Sequence, residues 1–508
     1  MASIINFAGL CLLFTVCGFL SLSNAETNIQ KPGLSQSPED KIRAQDVKNT
    51  MSAAFKDYMQ HGFPADEVRP ISLGKRNTRN GWSASLVDSL TTLYVMDLQT
   101  EFKEAVDKTL RIDFSKSQTE DPISLFETTI RYLAAMLSAY ELSGATNQEL
   151  LKKAQSLGDS LTTAWQTNQQ QLPFPQLNFS AGKPVNIDVI SAAAAGTLMI
   201  EFDRLSFYTK DNKYIKLAQK SQRTVMNAPS TLPGIPGLVF SVQNGSVVND
   251  LASWGGGVDS YTEYLLKYGM LIENSDPTYI DAWKLAVKSS IENLIQVSST
   301  GNLTYLADYS KSSNGLKYQF SHLACFAGGN WLLGAKVLQD PKIFDFGLKL
   351  VETCAESYRR TKTGIGAEIF QFLSPLGQNT DDRPPSQEQL AFLQKNGFYN
   401  SNSQYILRPE VIESAFHAWR ITGDRKYQDF VWAAYQSILK YCKGTVAFAA
   451  IDSVEKEKPE RLDEAESFFF AETLKYIYLT FSPPELISLD EYIFSSVFKK
   501  VWHLRSNL

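Results

Sequence analysis

The chain has 508 residues, 44% hydrophobic and 20% charged, an ordinary globular balance with length for a large core. Its formal net charge is −5 and it has no long basic run, which argues against nucleic-acid binding. Length alone allows roughly two to four domains, or one large repetitive one.

The first predicted element is the apolar run IINFAGLCLLFTVCGFLSLSNAET, which contains the small-x-small cleavage pattern Ser23-Asn24-Ala25. Residues 1–25 are read as a secretory signal peptide, with an uncleaved signal anchor as the alternative because the run is nearly long enough to span. Residues 26–44 read as a polar flexible stem, and 45–508 as one folded domain. The expected location is therefore the ER or Golgi lumen, or outside the cell. Membrane contact is expected only if the signal stays uncleaved.

Helical periodicity dominates after the stem. The stretch SLFETTIRYLAAMLSAYELSG, residues 124–144, places Ile130, Leu133, Leu137 and Tyr140 on one helical face. Glu127 and Arg131 are four apart on a neighbouring row, within reach of each other. A surface ion pair and a cleft carboxylate held by an arginine both fit this pattern.

A turn then recurs: KDNKYIKLAQKSQ at Asp211, SDPTYIDAWKLAV at Asp276, QDPKIFDFGLKLV at Asp340 and GDRKYQDFVWAAY at Asp424. Each sets an Asp before an aromatic and an amphipathic helix, at intervals that hold an antiparallel helix pair. Repeated hairpins stack into a solenoid or close into a ring, with Gly- and Pro-rich loops at the rims.

Carboxylates in apolar company are the recurring oddity. They include Glu201 in TLMIEFDRLS, Asp259 after a glycine run, and Glu410 and Glu413 at a helix start behind Pro409. Glu466 and Glu472 lie in the aromatic stretch AESFFFAETLKYIYLTF. One such acid is usually an N-cap or a structural ion pair. Several together suggest an acidic pocket, suited to glycoside hydrolysis or to binding Ca²⁺.

The four histidines show no metal-ligand pairing on one helix, so a zinc site is not expected. Asn178, Asn244 and Asn302 head N-glycosylation triplets. Of five cysteines, Cys11 and Cys17 fall in the signal. Cys325, Cys354 and Cys442 remain, enough for one bridge and one free thiol.

In order along the chain, NGWSASLVDSLTTLYVM, the 124–144 stretch, DSYTEYLLK, SHLACFAGG, YILRPEVIESAFHAWRITGD and ESFFFAETLKYIYLTFS resemble the signatures of glycoside hydrolase family 47, the class I α-1,2-mannosidases. The resemblance implies an all-α fold, an (α/α)7 barrel of helical hairpins with short β-hairpins in the rim loops. It also implies an inverting, Ca²⁺-dependent removal of α-1,2-linked mannose from high-mannose N-glycans on glycoproteins, by a monomer. Glu127 matches the family's proposed acid, Glu410 its proposed base, and Asp259 a third carboxylate given either role. Arg131, Glu201, His322, Arg408, Glu413, Phe468 and Glu472 match pocket residues. Cys325 and Cys354 match the family's disulfide, leaving Cys442 free. Gly257 stands where the endoplasmic-reticulum subgroup carries a specificity-restricting Arg, as in Golgi and secreted fungal members. The tail departs from the pattern. Ser496 takes the place of the Ca²⁺-binding Thr, but Val497 replaces the following Glu, and Lys499 stands where the family has His. That departure implies weakened Ca²⁺ affinity and leaves a second reading open, a glycan-binding homologue of low turnover in glycoprotein quality control.

Overall fold

The computed structural model describes residues 28–166, 170–313, 315–380 and 383–494, together with the backbone of 498–500. The expected signal peptide, Ser496 and Val497 lie outside these residues, as does the side chain of Lys499.

Helix α1 spans Pro38–His61, and α2 (Ala84–Val95) and α3 (Gln99–Arg111) form the first hairpin. Leu125–Glu127, Thr128–Leu133 and Ala134–Leu142 run on as one helix, α4, whose middle section winds as a wider π-type turn. The following helices are α5 (Gln148–Leu161), α6 (Met199–Thr209), α7 (Lys213–Asn227), α8 (Asp259–Leu271), α9 (Thr278–Asn293) and α10 (Phe326–Leu338). They are followed by α11 (Pro341–Arg359), α12 (Glu410–Thr422), α13 (Arg425–Tyr441) and α14 (Leu474–Phe481), the last entered through a π-type turn at Phe469–Thr473.

The even-numbered helices form an inner ring. Contacts run from α2 to α4, α6, α8, α10, α12 and α14, and the turn before α14 meets α2 again. The odd-numbered helices pack outside, with α1 beside α14 completing the seventh hairpin. Together these helices make the (α/α)7 barrel.

The sequence explains the two layers. Outer helices are amphipathic: α7 buries Tyr214, Ala218, Ser221, Gln222 and Val225 at helical spacing. Their starts are the recurring turns. Asp340 accepts from the N–H groups of Lys342 (2.9 Å) and Ile343 (3.1 Å), and Asp424 from that of Lys426 (3.0 Å). Asp211 and Asp276 accept likewise from Lys213 and Thr278. Tyr214, Tyr279 and Tyr427 of these turns are buried beneath them. Inner helices are apolar all round, as in α10, where every residue from Phe326 to Ala335 is buried. Gly334 lets α10 approach the outer layer: a Cβ there would stand 2.0 Å from the Trp283 ring. Trp82, Trp254, Trp283 and Trp331 are fully buried in this core, which supplies most of the stabilisation.

Short antiparallel sheets deliver the chain to the inner helices at one rim. Ile123–Ser124 pairs with Gln176–Asn178 and leads into α4, and Gln319–Ser321 pairs with Ile369–Gln371 and leads to His322 and α10. At the far end, Tyr492–Phe494 pairs with Phe498–Lys500, Ile493 opposite Lys499. Phe494 packs on Phe416, His417 and Tyr476, so this hairpin enters the barrel between inner helices.

The stem expectation for 26–44 needs correction. Residues 38–44 form the first turns of α1, capped by Ser37. Before them, the Ile29 N–H donates to Asp490 at 2.7 Å and the Lys31 N–H to the Arg420 carbonyl at 2.8 Å. These partners lie far along the chain, so the segment's fold was invisible to local composition.

Candidate active site

A cavity of about 380 Å³ opens at the ends of the inner helices. Glu127, Arg131, Asp259, Arg408, Glu410, Glu413, Phe468 and Glu472, all singled out from the sequence, line it together with Glu263, Tyr264 and Tyr476. Two predicted residues stand behind the wall. Glu201 is fully buried and accepts from the Tyr264 hydroxyl at 3.2 Å. His322, 1% exposed, lies 2.8 Å from Glu410.

Local structure explains how each group is presented. The Ser124 hydroxyl caps α4 by accepting from the Glu127 N–H at 3.2 Å. Glu410 and Asp259 are the first residues of α12 and α8, where the helix dipole favours an anion. Both π-type turns carry pocket residues, Arg131 in one and Glu472 in the other, a frequent association of such turns with function. Leu407, just before Arg408, adopts a left-handed backbone at φ 71°, a conformation few non-glycine residues take. The Thr473 hydroxyl holds it by donating to the Leu407 carbonyl at 2.7 Å.

The electrostatics separate the acids. Burial raises the Glu127 carboxyl, but the guanidinium groups of Arg131 (2.7 Å) and Arg79 (3.3 Å) outweigh it and leave the group below its ordinary range. Burial likewise works against ionised Glu410, yet the hydrogen bond from His322 and the charge of Arg408 hold its pKa down. Among the described residues Asp259 has no such cation. Burial, with the charges of Glu263 and Glu410, pushes it up to about 7. Glu413 is pushed to about 7 by burial, against the pull of Lys267, and Glu472 is raised well above the carboxylate range by burial and by Glu410 and Glu413. The surroundings therefore favour a proton on Asp259 below about pH 7 and negative charge on Glu127 and Glu410. The resemblance implies an acid at Glu127 and allows an acid or base role for Asp259; in the fold two arginines oppose protonation of Glu127.

Two contributors escape the sequence reading. Arg79 lies on a loop organised by Asp66, whose carboxylate accepts N–H bonds from Thr78, Arg79, Gly81 and Ala84. Asp88 of α2 accepts from Arg131 at 3.2 Å and from Ser467 at 2.5 Å. Charged residues in a loop and on an apolar helix were the only signals available. Phe468 lies beneath both Arg131 (5.7 Å) and Arg408 (6.0 Å), giving the wall a flat aromatic face between two cations.

Among the described residues six carboxyl groups line the cavity against two guanidinium groups, and the donors are all hard oxygens. That excess fits a hard divalent cation. Among the described residues no group of three or more His, Cys, Asp or Glu is arranged to hold a metal directly.

Cys325 and Cys354 form a disulfide and Cys442 is free and buried. Asn178, Asn244 and Asn302 are all exposed. No helix among the described residues is long and apolar enough to cross a membrane.

The sequence model of glycosyl hydrolase family 47 matches residues 50–497. A mannosyl-oligosaccharide alpha-1,2-mannosidase 1B of Aspergillus oryzae is 39% identical over 495 residues, 94% of each chain. Its namesake from Aspergillus phoenicis is 39% identical over 464 residues, 88% of each chain. The solved alpha-1,2-mannosidase from Trichoderma reesei superposes with a TM-score of 0.87 at 33% identity, covering 92% of this chain and all of that one. With its barrel, its ring of acids and these relatives, the chain belongs to glycosyl hydrolase family 47 and is a glycoside hydrolase.

Proposed function

We propose that this chain is an α-1,2-mannosidase that removes terminal mannose from the high-mannose N-glycans of secretory glycoproteins, with inversion and with Ca²⁺. The observation that carries the mechanism is the unequal setting of two acids in one cavity: Glu410 lies 2.8 Å from His322 and faces Arg408, which hold its pKa down, while burial pushes Asp259, with no such cation among the described residues, up to about 7. A protonated acid and an ionised base in one pocket are what single-displacement hydrolysis needs. In this reading Glu410 takes a proton from the attacking water and Asp259 gives one to the departing glycosidic oxygen. Glu127, clamped by Arg131 and Arg79, is a fixed negative post facing the charge that develops on the sugar ring. The Phe468 face packs on the sugar, and Arg408 orients Glu410.

Ser496, through its hydroxyl and carbonyl, with waters held by Glu263, Glu413 and Glu472, would bind Ca²⁺. When bound, the ion supplies coordination for sugar hydroxyls and offsets the crowded negative charge. The disulfide and the exposed glycosylation triplets support a secretory lumen or the cell exterior as its place of work.

The test is mannose release from a Man₉ N-glycan, with Ca²⁺ and with a chelator, followed by NMR of the first anomer formed. Calcium-dependent release of β-mannose is expected. A well-folded protein that binds the glycan but releases nothing in millimolar Ca²⁺ would overturn the enzyme reading and favour a lectin role. Initial release of α-mannose would overturn inversion alone.

A further inference from the structure

His322 sits between two partners. Its Nδ1 is 2.8 Å from Oε2 of Glu410, and its Nε2 is 2.8 Å from the hydroxyl of Tyr358. Glu410 is ionised at rest and only accepts. In the neutral imidazole Nδ1 must therefore carry the proton, and Nε2 is left as an acceptor. The Tyr358 hydroxyl is the group placed to donate to it. The geometry points to Tyr358 as a positioning residue for the reaction: by occupying Nε2 it fixes the His322 tautomer that donates to Glu410. This rests on the reading of Glu410 as the base.

The surroundings are built to hold that hydroxyl in place. Tyr358 and His322 are each 1% exposed. The Tyr358 ring is wedged edge-on against Phe430 at 5.5 Å, and Gly366 makes room for it, since a Cβ there would stand 2.5 Å from the ring. Tyr358 lies one helical turn beyond Cys354 on α11, and His322 lies three residues before Cys325, so the disulfide ties together the two segments whose side chains meet. The His322 N–H donates to the Glu368 carbonyl at 2.9 Å, and the Glu368 side chain takes a 2.5 Å bond from Arg408. Tyr405 donates to the Arg408 carbonyl at 3.1 Å, which steadies the strained approach to Glu410. A neutral tyrosine touching neither cavity nor substrate thus controls the orientation of a group that does. A buried hydroxyl needs some partner, and here that partner is the ring nitrogen that sets the His322 tautomer, at 2.8 Å.

The test combines three variants of the full chain with ¹⁵N-histidine NMR. Tyr358→Phe removes one oxygen and keeps the ring. We expect it to lower kcat about tenfold with KM within about twofold. We also expect the Nδ1–H signature of His322, identified by its loss in His322→Gln, to give way to a tautomer mixture. In the His322→Gln background, Tyr358→Phe should cost no more than about twofold. An unchanged tautomer, an unchanged kcat, or a full additive loss in the double variant would each overturn the proposal. Unfolding of Tyr358→Phe, judged by its melting curve, would overturn it as well, because the residue would then be structural. Glu410→Gln separates the two readings. If that variant keeps its rate, the base assignment fails whatever Tyr358 does. If it is inactive while Tyr358→Phe keeps both rate and tautomer, only the present proposal fails.

Discussion

Arg131 donates from Nε to Oε2 of Glu127 at 2.7 Å while its terminal nitrogen reaches Asp88 at 3.2 Å. The guanidinium joins the pocket wall to the inner helix α2, and it is nearly buried, with 9% of its side chain exposed against 2% for Asp88. Removing it strands at least one carboxylate without its cation. Arg131→Met should cost about 3–5 kcal/mol of stability, the usual result of breaking a buried pair from one side. Urea unfolding checks this. A loss under about 1 kcal/mol would mean that water or Arg79 replaces the charge, and that the pair behaves like a surface one.

The pH dependence of turnover follows from the separated acids. Asp259 must hold its proton, so kcat/KM should fall as pH rises through about 7. Glu410 must be ionised, so the rate should also fall at acid pH, below the ordinary glutamate value of 4.5. Asp259→Asn should lose the natural substrate while keeping an activated mannoside whose leaving group needs no proton. Glu127→Gln should lose both. If instead Glu127→Gln alone is rescued by the activated substrate, the acid is Glu127, as the family resemblance implies, and Asp259 has another task.

Stability carries the opposite face of the same shift. Asp259 is raised from 3.8 to about 7 in the folded chain, so between these values the folded state binds more protons than the unfolded one. Its contribution is present in full below the unfolded value and is lost as pH rises through the folded one. Asp259→Asn should flatten that part of the stability curve, measured by denaturant unfolding across the window. An unaltered slope would show that Asp259 ionises at its ordinary pKa in the fold.

How much of this is legible in the sequence depends on range. The hairpin repeat is local: an Asp cap, an aromatic and an amphipathic helix lie within one turn or two of each other. The pocket acids are legible because a carboxylate at the start of an apolar helix conflicts with its neighbours, and motif order then places them together. Partners far apart in the sequence are not legible. Arg79 meets Glu127 where the loop before α2 folds beside α4, Tyr358 meets His322 where α11 packs back on the segment before α10, and nothing beside Tyr358 in ESYRR marks its hydroxyl as used. Depth is equally hidden. Glu201 and His322 share motifs with the lining residues yet stand behind them, because a motif reports neighbourhood rather than which side chain reaches the cavity. The N-terminal segment fails for the same reason, since its polar composition says nothing of Asp490 waiting at the other end of the chain.

The disulfide offers a test that couples fold and site. Cys325 and Cys354 close a loop with a sequence separation of 29, so removing the bridge should cost about 3–4 kcal/mol through the unfolded chain. Cys354→Ser should therefore lower the unfolding midpoint. Because the bridge holds the start of α10 against α11, it should also lower kcat at temperatures where the variant is fully folded. Stability lost with kcat intact would confine the bridge to a structural role.

Gly257 lies on the cavity wall, and a side chain placed there should change which mannoses the pocket admits. It lines the cavity at φ 91°, a backbone conformation that side chains rarely adopt, and a Cβ there would stand 2.5 Å from the Leu238 side chain. An arginine at this position therefore meets two obstacles, strained backbone and an occupied space. Gly257→Arg should destabilise the chain by about 1–3 kcal/mol from the backbone alone. It should also narrow the range of mannoses released from Man₉, because the new side chain must turn into the cavity to avoid Leu238. Pairing it with Leu238→Ala should recover part of the stability without restoring the range, since Leu238 is not among the residues that line the cavity. The product distribution, read by mass spectrometry over time, separates the two effects. A Gly257→Arg chain that is stable and trims as the parent does would show that Leu238 moves aside, and that the breadth of the site is set elsewhere on the rim.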